Sequence, residues 1–389
     1  MTEEKRILIV DFTDYEDYPI GGYLTFARNL MESFGPVLAL AGITTSVTDP
    51  VGRWFKKTIK GTEYDFFAMA RYIRVQTRNV IPDRLVNYLL ARYYKKRILG
   101  LGINNIFLQR HESLMAFSDR NMNICYSFPG LENPLSISKY SYAGMLAKWF
   151  ERQFFRKVIH SNIILARGDN DAISAMLSRS NGTLAKRTII KFPTRIKTGV
   201  FRPVGKDEAR ASLNLPDTST IVVTTGRLAW LKGWKFMVDC FEKFSKKVAD
   251  PLFIIVGEGE DYYKIKSYIS EKNLADKILL QGKQSREEIA LYLNASDVYI
   301  MGSYKEGWPT ALMEAVACGV PACATEFSSV DEIILDGENG YIIRDRDEDI
   351  FVESMLKAMK LPRPVKNDHV IRFSTENLKN DLLKYWELT

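Results

Sequence analysis

Between Met301 and Pro321 the chain reads MGSYKEGWPTALMEAVACGVP. The run describes the end of a strand, a short acidic turn, and a helix that starts at Pro309 and stops before Gly319. Proline is favoured at the first helical position, where its missing N–H costs nothing, and glycine just past the last. The first amides of such a helix have no partner within it, and the macrodipole adds roughly half a positive charge there. The turn Gly307-Trp308-Pro309-Thr310 is therefore a seat for phosphate oxygens. Two carboxylates flank it, Glu306 in the turn and Glu314 one to two turns down the helix. A strand feeding a helix through an anion-binding turn belongs to an α/β sheet, and this constrains the fold more than any other stretch.

The rest of the chain repeats that grammar. Arg6 to Asp11 (RILIVD) is a continuous apolar run of buried-strand length, followed by Gly21-Gly22 and a helical pattern from Tyr23 to Phe34. Without a G-x-G-x-x-G, this first unit carries no dinucleotide fingerprint and implies no redox cofactor. Val37 to Ala41, Asn105 to Gln109 and Ile163 to Ala166 read as further strands. Thr220 to Thr225 (TIVVTT) restarts the series, followed by Gly226-Arg227-Leu228-Ala229-Trp230-Leu231-Lys232-Gly233. Leu252 to Val256, Ile278 to Leu280, Val298 to Met301 and Pro321 to Ala324 complete it. At 389 residues the chain fits two domains of about 200 residues each.

Composition excludes several classes. No apolar run approaches the roughly 18 residues that span a bilayer, and the start MTEEKR is not a signal peptide. A cytoplasmic location, with peripheral attachment at the inner face of the plasma membrane, is the expectation. Cys125, Cys240, Cys318 and Cys323 form no C-x-x-C pair and sit in apolar stretches, as reduced core residues do. His111, His160 and His369 form no cluster with them, so no metal is implied. The run Arg344 to Asp349 reads as a solvated loop in preference to a D-x-D metal site.

Charge is uneven. Residues 1–199 hold 29 Lys and Arg against 17 Asp and Glu, a net +12, and the remainder holds 25 against 30, a net −5. A basic half suggests an anionic partner: a nucleic acid, a membrane surface or an anionic substrate. Arg53 to Lys57 (RWFKK) and Arg84 to Arg97 (RLVNYLLARYYKKR) interleave aromatic and basic residues, with Leu85, Tyr88, Leu89, Arg92 and Lys96 near one helix face. A core helix with a charged outer side explains such a stretch, and so does contact with anionic lipid headgroups. The helix Lys139 to His160 is strongly amphipathic.

Glu306 and Glu314, with seven residues between them in the string EGWPTALMEAVACGVP, resemble the E-x7-E element of family-4 retaining glycosyltransferases. Arg227 and Lys232, five apart after a strand, match the same family's pattern, as do Ser328 to Ile333 and Asp336 to Gly340. The resemblance is specific over the second half and covers the first by order of elements only. It implies a GT-B fold: α/β, two facing doubly wound Rossmann-like domains with a cleft between them. Residues 1–200 would bind the acceptor and 201–372 the nucleotide sugar, with a boundary near 198–206 and a final helix, 375–389, packing back on the first domain. The acidic residue often found after the linker's Gly-Val is absent here, at Gly199-Val200-Phe201.

The resemblance also distributes roles. The donor diphosphate would sit on the turn Gly307-Trp308-Pro309-Thr310, with Arg227 and Lys232 as fixed cations against the charge of the leaving group. Glu306 would orient the donor sugar and Glu314 hold the ribose. Gly282 and Lys283 would border the base, and Gly21 and Gly22 lie near sugar and phosphates. His111, after the Asn105 to Gln109 strand, would contact sugar or acceptor. The implied activity is retaining, metal-independent transfer of a hexose-type sugar, from a UDP-sugar in preference to a GDP-sugar. The acceptor would be a glycan or lipid-linked molecule of bacterial surface polysaccharide synthesis. An anionic membrane surface is a further partner; nucleic acid is not expected. A sugar-nucleotide epimerase or phosphorylase of like architecture, and a non-enzymatic polyanion- or membrane-binding protein, are the alternatives.

Overall fold

The computed structural model describes residues 5–19, 22–72, 82–118, 121–128, 135, 145–168 and 170–387. The chain divides into two units, Met1–Thr194 with Asn377–Thr389, and Arg195–Glu376. The division falls slightly before 198–206. The Ile196 N–H donates to the Phe373 carbonyl at 3.1 Å and the Thr375 N–H to the Ile196 carbonyl at 2.8 Å, tying the start of the linker to the second unit.

In the first unit the strands are β1 (Ile7–Val10), β2 (Leu38–Thr44), β3 (Trp54–Ile59), β4 (Thr62–Arg71), β5 (Asn105–Leu108), β6 (Asn123–Phe128), β7 (Ile163–Ala166) and β8 (Ile189–Lys191). Their order is β3-β4-β2-β1-β5-β6-β7-β8, parallel throughout except for the β3–β4 hairpin. The apolar runs that read as buried strands are buried: all four positions of β1 and of β7 are closed to water. The final helix, Leu378–Glu387, belongs to this unit, with Leu378, Leu382 and Trp386 in the same core cluster as Phe26, Leu30 and Phe34 of the helix Gly22–Phe34.

Two details of the basic tracts differ from the sequence reading. Arg53 to Lys57 is not a free basic surface, because Trp54–Ile59 is the edge strand. Within it the Lys57 ammonium is 9% exposed, 3.0 Å from the Asp49 carboxylate and 3.5 Å from that of Glu16. The Trp54 ring packs edge-on to Phe67 and its Nε1 donates to the Arg97 carbonyl at 3.1 Å. Asp83–Ile98 is a helix, but its inward side is Asn87, Ala91 and Ile98 with Tyr88, Leu90 and Tyr94 against the core. Leu85, Leu89 and Tyr93 face water, 48, 55 and 72% exposed. A dense cationic stripe hides which side packs, since lysine and arginine stems serve either. Of the helix Lys139 to His160, residues 139–144 lie outside the described residues; Ala147–Val158 is helical, with Phe154, Phe155 and Val158 buried.

The second unit holds β9 (Thr220–Thr225), β10 (Pro251–Val256), β11 (Ile278–Gly282), β12 (Val298–Met301), β13 (Ala322–Thr325) and β14 (Gly340–Ile343). Their order is β11-β10-β9-β12-β13-β14, all parallel. Helices on the two faces bury separate clusters, one with Leu312, Val316 and Leu293, the other with Phe241, Phe351 and Met355. This is the doubly wound arrangement that alternating strand and helix patterns require.

Candidate active site

In the second unit the chain moves outward from β9 to β10 and β11, then returns to lay β12 on the other side of β9. Between β9 and β12 the order reverses, and open α/β sheets bind ligands at the carboxyl ends of strands at such a point. A cavity of about 210 Å³ lies there. Its walls come from the end of β9 (Thr224 to Leu228) with Lys232, from Met301 and Ser303, and from Glu306 with Trp308 to Ala311.

Lys232 and Glu306, 74 residues apart, meet on this wall: Lys232 Nζ lies 2.6 Å from Glu306 Oε1. Ser303 Oγ donates to the same oxygen at 2.6 Å. The Glu306 side chain is 10% exposed and that of Lys232 36%, so the carboxylate is held and the ammonium reaches solvent. Arg227 also lines the cavity, but its Nε is 3.0 Å from Glu260 Oε2 in a pair that is largely solvated on both sides.

The helix after the acidic turn is Thr310–Ala317, so Pro309 precedes it instead of opening it. With ψ at 85° Pro309 is outside the helical region. The reason is local: the Thr310 N–H turns back on the Trp308 carbonyl at 3.0 Å, while Leu312 and Met313 share the Pro309 carbonyl, both at 3.1 Å. Among the described residues Ala311 is the first-turn position whose N–H has no acceptor. The stop before Gly319 holds. Gly319 has φ +72 and donates to the Val316 carbonyl, and Val320 donates to that of Ala315, the paired bonds of a Schellman close.

Glu314 projects from this helix without lining the cavity. The residue keeps some exposed surface while its carboxyl is withdrawn from water. Burial pushes its pKa up to about 7, with the Arg286 charge working in the opposite direction. Among the described residues burial and the Arg286 charge are what act on its carboxyl, with no hydrogen bond contributing. Gly282 ends β11 and Lys283 follows it; β10 and β9 lie between β11 and β12, and neither residue is on the cavity wall.

The remaining named residues are in the first unit. Gly22 is the first residue of the helix Gly22–Phe34; Gly21 lies outside the described residues. His111 opens the helix His111–Phe117 and is 6% exposed. Its ring centroid is 4.6 Å from that of Phe154 and 5.9 Å from that of Phe128. Burial pulls its pKa down to about 3, with the Arg84 and Arg179 charges adding to the effect. The imidazole is therefore neutral at physiological pH, able to orient a group but not to serve as an imidazolium acid.

Sequence reading passed over a polar cluster at the reversal point of this first sheet, between β1 and β5. Asp11, fully buried, accepts from Arg110 and Gln109, and its Oδ1 also takes the Phe12 N–H at 2.6 Å. Arg167, just past β7, donates to Gln109 Oε1 and, at 2.8 Å, to Ser127 Oγ. Its guanidinium lies 4.2 Å from the centroid of Phe26, and burial pulls its pKa down to about 10. The available signal was a charged residue directly after each apolar run. Arg346 was missed in the same way, inside a stretch read as a solvated loop. It donates to the carbonyls of Gly302 and Ser303 at 2.9 and 3.3 Å, bracing the turn that carries Glu306.

Residues 205–374 match the family model "Glycosyl transferases group 1". The D-inositol 3-phosphate glycosyltransferase of Stackebrandtia nassauensis is 28% identical over 206 residues, 49% of this chain and 46% of that protein. The UDP-Gal:alpha-D-GlcNAc-diphosphoundecaprenol alpha-1,3-galactosyltransferase of Escherichia coli is 27% identical over 174 residues, 44% of this chain and 43% of that protein. In both, the match spans less than half of the relative. Among solved structures, sucrose-phosphate synthase from Thermosynechococcus elongatus superposes with a TM-score of 0.73 at 17% identity, covering 99% of each chain. HepE from Anabaena, solved with UDP, gives 0.69 at 12% identity, covering 99% of this chain and 100% of its own. The chain thus has the GT-B fold, with two Rossmann-like α/β units, and residues 205–374 of its second unit match the group 1 glycosyl transferases.

Proposed function

We propose that the chain is a retaining glycosyltransferase of family 4 that moves a hexose-type sugar from a nucleotide sugar to a glycan or lipid-linked acceptor. The observation that carries this reading is the Lys232–Glu306 pair at 2.6 Å, set at the strand reversal beside the Thr310 helix start. In the reaction the bond from the anomeric carbon to the diphosphate oxygen breaks, and its electron pair leaves with the diphosphate. The acceptor hydroxyl attacks from the face the diphosphate vacates, and its proton passes to a leaving phosphate oxygen. The leaving group gains charge in the transition state, where Lys232, Arg227 and the amides near Thr310 stabilise it. Glu306 orients the sugar, and Glu314 accepts the ribose hydroxyls. His111, Gly21, Gly22, Gly282 and Lys283 keep the roles that the E-x7-E resemblance assigns them. No metal enters the scheme, because lysine and arginine supply the positive charge.

A calorimetry and thermal-melt panel of UDP, GDP and ADP with their common sugars, with and without magnesium, tests the reading. Selective stabilisation by one nucleotide, equal in both conditions, is expected; UDP leads because HepE was solved with UDP. Product analysis with and without acceptor separates transfer from epimerase or phosphorylase chemistry. Silence to every nucleotide would leave the non-enzymatic polyanion-binding reading in its place.

A membrane-held acceptor is supported by the first unit's surface. Met145, Leu146 and Trp149 are 81, 53 and 61% exposed beside exposed Lys148, Arg152 and Arg156. The water-facing stripe Leu85, Leu89 and Tyr93 carries Arg92 and Lys96. Both helices pack on His111–Phe117, so the two surfaces belong to one layer. Apolar side chains among cations suit an anionic interface, where each cation contributes about 1 kcal/mol. The protein is expected to bind phosphatidylglycerol-rich vesicles at low salt, and Leu146→Glu/Trp149→Glu to lose that binding while keeping its melting temperature. Equal sedimentation with neutral and anionic vesicles would remove the membrane from the proposal.

A further inference from the structure

Trp230 and Tyr304 are 65 and 51% exposed, with ring centroids 5.6 Å apart and planes 44° apart. Each stands two residues from one member of the Lys232–Glu306 pair, and neither lines the cavity. Single exposed aromatic residues are ordinary on protein surfaces. These two are instead held on a braced base. The Tyr304 N–H donates to the Leu231 carbonyl at 2.9 Å, joining the two loops. Gly233 has φ +67, and a Cβ there would stand 1.7 Å from the Gly302 carbonyl oxygen, so the loops touch backbone to backbone. Beneath Tyr304 the Arg346 guanidinium lies 3.8 Å from the ring centroid while bonded to the Gly302 and Ser303 carbonyls.

A rigid aromatic surface has already met the ordering cost that binding otherwise imposes. Its π faces carry partial negative charge and attract the positive edges of C–H bonds. A pyranose offers that complement, a face of C–H groups ringed by hydroxyls. Trp230 and Tyr304 stand outside the wall formed by Lys232, Glu306 and the Thr310 helix start but on the loops that carry the pair, so a ring stacked on them lies next to Lys232 and Glu306. Resting on the glycosyl-transfer reading, we infer that Trp230 and Tyr304 form a stacking platform for a pyranose ring of the acceptor, presented beside the Lys232–Glu306 pair. The acceptor would then be a glycan at the end that receives the sugar.

The test uses the full chain labelled with fluorotryptophan, the Trp230 resonance being assigned from Trp230→Phe. Methyl glucopyranosides, methyl galactopyranosides, maltose and cellobiose are titrated with and without UDP. At least one sugar is expected to shift the Trp230 resonance saturably, and Tyr304→Ala to raise the half-saturating concentration roughly tenfold, since each 1.4 kcal/mol is tenfold. Tyr304→Phe should keep the sugar response, and UDP affinity should be the same in all three proteins. The inference is overturned if no sugar moves the resonance. It is also overturned if UDP moves it and Tyr304→Ala weakens UDP, which would make the platform a nucleobase seat. Loss of nucleotide binding by the unaltered protein would instead sink the glycosyl-transfer reading, and melting curves report that separately.

Discussion

Lys232→Ala is expected to lower the transfer rate constant by about 10²–10³-fold, the loss typical when one preorganised donor to a developing oxyanion is removed. Donor affinity should change far less, because the ground-state diphosphate keeps Arg227 and the Thr310 helix start. In the present structure Lys232 Nζ is spent on Glu306 at 2.6 Å, and an arriving diphosphate would compete for it. Removing the ammonium also leaves Glu306, 10% exposed, with Ser303 as its remaining donor. Lys232→Ala/Glu306→Gln separates these effects: if lost charge at the leaving group dominates, the double variant is no faster than the single one. Single-turnover rates with the donor found by the nucleotide panel decide the matter. A Lys232→Ala rate within about threefold of the parent would be too small for a charge acting on the leaving group, since threefold is under 1 kcal/mol.

Glu314→Ala should weaken nucleotide binding by about 10- to 100-fold, the loss of hydrogen bonds to a charged acceptor at about 1.5–3 kcal/mol. A sharper signature comes from pH. Burial raises the carboxyl from its ordinary value of 4.5 to about 7, so near pH 6 the folded protein holds a proton there that an unfolded chain has released. This group's contribution to stability therefore falls as pH rises from about 4.5 through 7. Ribose hydroxyls donate to the ionised form. Binding should release a proton below pH 7, and affinity should drop by about tenfold per pH unit on the acid side and level off above. Calorimetry in buffers of different ionisation enthalpy measures the proton directly. Glu314→Gln should give a flat profile, and an unchanged profile in that variant would remove Glu314 from the ribose site.

Much of the architecture was legible because its signals are short-range. Four- to six-residue apolar runs form strands, and apart from the β3–β4 hairpin both sheets are parallel because helical stretches separate those runs. Gly319 closes its helix since a left-handed residue was needed there. Local signals failed where geometry depended on non-neighbouring groups. Pro309 is the exception, placed before its helix by a local contact, the Thr310 amide on the Trp308 carbonyl. Leu85, Leu89 and Tyr93 of Asp83–Ile98 face water because Asn87, Ala91 and Ile98 are the residues buried inward.

By itself the sequence determined the α/β class, the apolar strands that lead to the site and the identity of the groups at their carboxyl ends, since each follows from residue type and spacing within about ten positions; β3, β4, β6, β8 and β14 were not legible in it. Tertiary structure alone decided which of those groups meet and what burial does to them. Lys232 reaches Glu306 across 74 residues, and Arg346 braces the same turn from 40 residues beyond Glu306. Glu314 moves up to about 7 and His111 down to about 3 for one physical reason. Removing a side chain from water penalises its charged form, and the walls that remove it are contributed by segments far along the chain.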